Sequence, residues 1–127
     1  MPTCDLVVDG KCVVNLKVSI QGTERDIPVL IDTGFTRSTG HGLKIPAKYA
    51  NDCHSVGYAR VDVADGRKVS CISAIDIHIL SIDDKPLSIR RDIPTLFMDG
   101  PQVLGMMFLE RCVLHIDGPN GTGSLEH

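Results

Sequence analysis

Asp32, followed by Thr33 and Gly34, is the residue of this 127-residue chain whose type and setting point most directly to chemistry. It stands behind Asp26-Ile27-Pro28-Val29-Leu30-Ile31, an apolar, β-branched run that reads as a buried strand. A carboxylate placed where such a strand breaks into a turn is held rigidly at the end of a core element, and can take or give a proton there. Asp followed two places later by Gly is also ordinary turn chemistry. The triplet therefore gains meaning from its flanks and from a distant partner.

Competing constellations are thin. There is no Gly-x-Ser-x-Gly elbow for a nucleophilic serine. Cys53 and His54 are neighbours in sequence, whereas Cys-His catalysis requires adjacency in space. His41, His54, His78 and His115 show no i, i+4 pairing on a helix, and the five cysteines (Cys4, Cys12, Cys53, Cys71, Cys112) contain no Cys-x-x-Cys pair, so no metal site is expected. The odd cysteine count argues for reduced thiols packed as small apolar groups, and so for a cytoplasmic protein.

The flanks carry a resemblance. Val29-Leu30-Ile31-Asp32-Thr33-Gly34-Phe35-Thr36 resembles the first signature of the retropepsin-like aspartic proteases, the half-size relatives of pepsin: apolar residues, Asp-Thr-Gly, a small or apolar residue, then Ser or Thr. Val103-Leu104-Gly105 resembles the second, two apolar residues and a Gly that open a short helix (Met106 to Leu109) and a last strand (Cys112 to Asp117). The resemblance spans about residues 11 to 117. Arg37-Ser38-Thr39-Gly40-His41-Gly42 departs from it, being polar where relatives carry apolar residues near the site.

The elements that would position these residues are short strands. Asp5 to Val8, the turn Asp9-Gly10 and Lys11 to Ile20 read as a hairpin, with Val14, Leu16, Val18 and Ile20 on its core face. Gln21-Gly22-Thr23 turns the chain into the strand that delivers Asp32; within it Pro28 implies an N–H position without a ladder partner. Pro46 to Ala50 can form one helical turn, closed by Asn51-Asp52. A long hairpin runs from Gly57 to Ile79 around the tip Ala64-Asp65-Gly66-Arg67, with Ile75, Ile77 and Ile79 on one face. After a turn at Asp83-Asp84 come Pro86 to Ile89 and Ile93 to Met98. The expected class is mainly β, a small closed or partly closed barrel of the acid-protease type with one short C-terminal helix.

What the resemblance implies is specific. One Asp-Thr-Gly per chain supplies half of the carboxylate pair, so the expected enzyme is a homodimer with one Asp32 from each copy at the two-fold axis. It would be an aspartic endopeptidase acting on polypeptide, without cofactor. Thr33 would lock the two turns together and Gly34 would let the chain pass close to substrate. Phe35, Thr36 and Arg37 would line the cleft, and Ala64, Asp65 and Gly66, at the tip of the long hairpin, would cover it as a flap. The rival reading is a catalytically silent domain of the same type, serving as a dimerisation or peptide-binding module. A weaker third is an unrelated small barrel in which Asp-Thr-Gly is only a turn.

Length and composition set the outer limits. One domain is expected, long enough to bury roughly two-thirds of its unfolded surface. Its boundaries fall at residues 1–117, leaving 118–127, which end in Leu125-Glu126-His127, as a structureless tail with the look of an expression-tag remnant. A net charge of −3, five aromatic residues and no Trp offer neither the basic field nor the stacking surfaces of a nucleic-acid binder. No apolar run approaches a membrane span and no signal-peptide pattern opens the chain.

Overall fold

The computed structural model describes residues 2–62 and 65–127. In chain order the strands are β1 (Thr3–Val7), β2 (Val13–Ile20), β3 (Thr23–Ile31), β4 (Leu43–Ile45), β5 (Gly57–Asp62), β6 (Lys68–Ala74), β7 (Ile77–Ile82) and β8 (Lys85–Asp92). β9 (Thr95–Phe97), β10 (Val103–Leu104), the four-residue helix α1 (Met106–Leu109), β11 (Val113–Asp117) and β12 (Thr122–Glu126) follow. Two 3-10 turns, Arg37–Thr39 and Ala47–Asp52, lie among the described residues; Pro46 immediately precedes the second and makes no side-chain capping bond.

The mainly β class holds, and the short helix after Gly105 is present. Of the expected closed or partly closed barrel, the closed form is not found. The strands form a nine-stranded sheet in the order β5-β6-β9-β4-β10-β3-β2-β7-β8 and a separate three-stranded sheet, β1-β12-β11. Among the described residues no pairing joins the outer strands β5 and β8, and closure requires an unbroken ladder.

Alternation builds the centre of the large sheet. Val14, Leu16, Val18 and Ile20 of β2 are buried, and each such side chain taken from water contributes about 1.5–3 kcal/mol. β2 pairs with β3 from Val13↔Leu30 to Ile20↔Thr23. At Asn15↔Pro28 the Asn15 N–H and C=O both turn the other way, to Asp83 Oδ1 and Asp83 N–H at 2.8 Å each. Pro28 therefore faces no β2 carbonyl, and its missing donor costs the ladder nothing. Asp83 and Asp84, with φ of 48° and 64°, make the two-residue turn between β7 and β8, the backbone form that suits the twist of a hairpin.

Three further expectations are corrected. The Asp9-Gly10 turn forms, but only the isolated bridge Val8↔Cys12 follows it; β1 pairs instead with β12, from Thr3↔Glu126 to Val7↔Thr122. The reason is burial: Cys4 and Leu6 of β1 and Leu125 of β12 enter the same core as β2. By the same pairing the C-terminal stretch is not structureless, since β12 is the middle strand of the small sheet and Leu125 is fully buried. Last, the long returning arm breaks at Asp76, whose φ is 63°, so Ile75 is left exposed while Ile77 and Ile79 continue inward in β7.

Candidate active site

Asp32 is placed by two strands. β10 runs parallel to the end of β3, pairing Val103↔Leu30 and Leu104↔Ile31. Leu30 N–H donates to the Gln102 carbonyl (2.8 Å), Ile31 N–H to the Cys12 carbonyl (2.9 Å) and Asp32 N–H to the Leu104 carbonyl (3.0 Å). The backbone of the carboxylate-bearing residue is thus fixed from the β10 side while the chain turns away. Within the turn, Gly34 N–H donates to Asp32 Oδ1 at 2.9 Å and Phe35 N–H to the Asp32 carbonyl at 3.2 Å. The first of these bonds is charge-assisted and orients the carboxylate; Oδ2 has no such bond from the turn. Asp32 is half-buried, and Thr33 and Gly34 are exposed beside it.

The two signature stretches touch at their glycines. A Cβ on Gly105 would stand 2.4 Å from the Phe35 carbonyl oxygen and 2.4 Å from its ring, closer than real contacts allow. That approach lets Met106 N–H donate to the Phe35 carbonyl (2.9 Å) and Gly105 N–H to the Gly42 carbonyl (2.8 Å). Gly42 is as tightly held: a Cβ there would lie 2.7 Å from Ile93 Cδ1 and 3.0 Å from Met107 Cβ. A Cβ on Gly34 would sit 3.1 Å from Asp32 Oδ1. Three glycines therefore let the turn, the segment after it and the start of α1 close together, and of these Gly42 shows no packing role in the sequence.

The remaining predicted residues are distributed as follows. Phe35 is half-buried against Gly105, so part of its surface braces the turn. Thr36 is exposed; its hydroxyl lies 2.6 Å from Ser38 Oγ, and its carbonyl accepts from Thr39 N–H and Oγ1. Arg37 opens the 3-10 turn. At the hairpin tip, Ala64 lies outside the described residues, while Asp65 accepts from Arg67 N–H (3.0 Å) and Nε (2.6 Å) and Gly66 takes a φ of 85°. These contacts bring Asp32, Gly34 and Phe35 together with Leu104 to Met106; those of Asp65 are within the tip.

Two groups were not anticipated. His41 is buried, with Nδ1 2.9 Å from the Thr39 carbonyl and Nε2 2.8 Å from Ser73 Oγ. A carbonyl accepts only, so Nδ1 carries the proton and the ring ties the segment after the Asp32 turn to β6. Asp76, His78 and Asp92 also gather, with their potential ligand atoms within 4.8 Å of one another. Each ring nitrogen of His78 faces a different carboxylate, Nε2 toward Asp76 (2.9 Å) and Nδ1 toward Asp92. The Nε2 contact is a hydrogen bond and the Nδ1 contact is not, so the group is explained as a side-chain cluster at the place where β7 pairs with the end of β8.

No family model and no curated protein matches the chain. Among solved structures it is similar to the crystal structure of a retropepsin-like aspartic protease from Rickettsia conorii, with a TM-score of 0.64 and 15% identity over 99% of this chain and 91% of that one. Likeness at that identity is a likeness of fold: a retropepsin-like arrangement, with Asp32 at the end of one of its strands.

Proposed function

We propose that the chain is an aspartic endopeptidase that works as a homodimer, with one Asp32 from each copy facing the other across the axis. One observation carries this reading: within a retropepsin-like fold, the Asp-Thr-Gly carboxylate is held at a strand end by a parallel neighbour and oriented by its own turn. Two such carboxylates brought to about 3 Å cannot both ionise and share one proton. The ionised member is the general base for a water held between them. The protonated member donates to the scissile carbonyl, and the two roles exchange as the amine leaves. The exposed Thr33 hydroxyl would meet the partner copy, Thr36 and the open part of Phe35 would contact polypeptide, with Arg37 beside them, and the Ala64-Asp65-Gly66 tip would cover it. No cofactor enters this chemistry, and a reducing, cytoplasmic setting suits its unpaired thiols.

The test is cleavage of a peptide library by wild type and Asp32→Asn, side by side from acidic to neutral pH. The reading predicts cleavage by wild type and none by the variant, with an unchanged fold. Equal activity in the two would exclude Asp32 as a catalytic residue, and silence of both at every pH would favour the non-catalytic binding module.

A further inference from the structure

The β5–β6 hairpin is a lever with a small bearing. β5 pairs with β6 from Gly57↔Ser73 to Asp62↔Lys68 and, among the described residues, has no other partner in the sheet. Among the described residues, β6 is joined to the rest of the sheet only at Ile72↔Phe97, Ser73↔Leu96 and Ala74↔Thr95. Outward from Cys71 the described residues of the ribbon have only their own ladder, and a two-stranded ribbon by itself is marginal in water. Its direction is therefore set where it leaves the molecule.

Gln21 sits at that point. Its Nε2 donates to the Ser55 carbonyl (2.6 Å) and the Ile75 carbonyl (3.1 Å), while its Oε1 accepts from His54 N–H (2.9 Å) and Ser55 N–H (3.1 Å). His54 and Ser55 precede β5 and Ile75 follows β6, so one side chain grips both feet of the hairpin. Gln21 N–H adds a bond to the Asp76 carbonyl at 3.2 Å. A primary amide has two donor hydrogens and two acceptor lone pairs, and here all four are used. No other side chain of similar length offers that set. The backbone at Gln21 has a φ of 49°, a conformation that glycine adopts freely, yet a Gln stands there.

We propose that Gln21 is a positioning residue, the clamp that fixes the angle of the β5–β6 hairpin. Its consequence for catalysis rests on the proposed protease function, in which that hairpin covers bound polypeptide. Its mechanical part does not.

Hydrogen–deuterium exchange of the full chain separates the two. Gln21→Ala and Gln21→Gly should both speed amide exchange over 54–62 and 68–76 by about tenfold or more, while the β2 and β3 core amides keep their protection. Gln21→Gly relieves the backbone, so loosening in that variant is not a folding defect. Gln21→Glu keeps the acceptors and loses the donors, so protection at His54 and Ser55 should persist while the hairpin beyond loosens. Unchanged hairpin exchange in both truncations, or a rise spread evenly over the molecule, would overturn the clamp. On a cleavable peptide the two truncations should raise KM several-fold and leave kcat nearly unchanged. A fall in kcat at constant KM would refute the positioning role even if the hairpin loosens. If wild type itself cleaves nothing, the function reading fails and the exchange result alone decides the clamp.

Discussion

At the residue scale, the site depends on close approaches that leave no room for a side chain. Gly105→Ala places a methyl against the Phe35 carbonyl and ring, and should cost about 1–3 kcal/mol in urea unfolding as the strained backbone shifts. Gly34→Ala meets only Asp32 Oδ1, at 3.1 Å, so it should spare stability and disturb the orientation of the carboxylate, seen as lost cleavage with a nearly unchanged urea midpoint. Burial, helped by the Asp83 charge, pushes the Cys4 thiol up to about 11, and burial likewise raises Cys53 and Cys112. The unfolded chain loses the Cys4 proton near 9, before the folded chain does, so this contribution is intact below that pH. It falls as pH rises toward 11, by about 2 kcal/mol. Cys4→Ala should flatten the alkaline limb of a stability-versus-pH curve. The sequence disclosed Asp32 and Gly105 because both sit in local patterns. It hid Gly42 and Gln21, whose partners come from elsewhere in the chain, those of the Gln21 side chain 33 to 54 positions away.

At the element scale, what could be read was what is local. The β2–β3 and β5–β6 hairpins announce themselves through short apolar runs and turns, and both formed. The partner of β1 could not be read, because pairing Thr3 with Glu126 is decided by which strands share a core, not by the nearest turn. β12 was disguised by composition. Its Gly123 looks like a loop residue, yet a Cβ there would stand 2.5 Å from the His115 carbonyl, so glycine is what permits the strand to lie against β11. Leu125 then fills the core beneath, and Leu125→Ala should destabilise the protein by about 2–4 kcal/mol in urea unfolding. A change near zero would mean that the small sheet is dispensable.

At the scale of the whole molecule, the fold likeness supplies an arrangement, and the proposed protease chemistry would require a second copy. Two carboxylates sharing a proton titrate as a pair, so cleavage should follow a bell-shaped pH profile with both limbs lost in Asp32→Asn. The most direct test of the shared site is a mixing experiment. Wild-type chain is held constant at a concentration where it sediments as a dimer, and Asp32→Asn chain is added and allowed to exchange. Random pairing at equal amounts leaves about one dimer in four with both carboxylates, so cleavage per wild-type chain should fall to about half and continue downward with more variant. Activity that stays constant as the variant is added would show that a single chain carries a complete site, and would contradict the account.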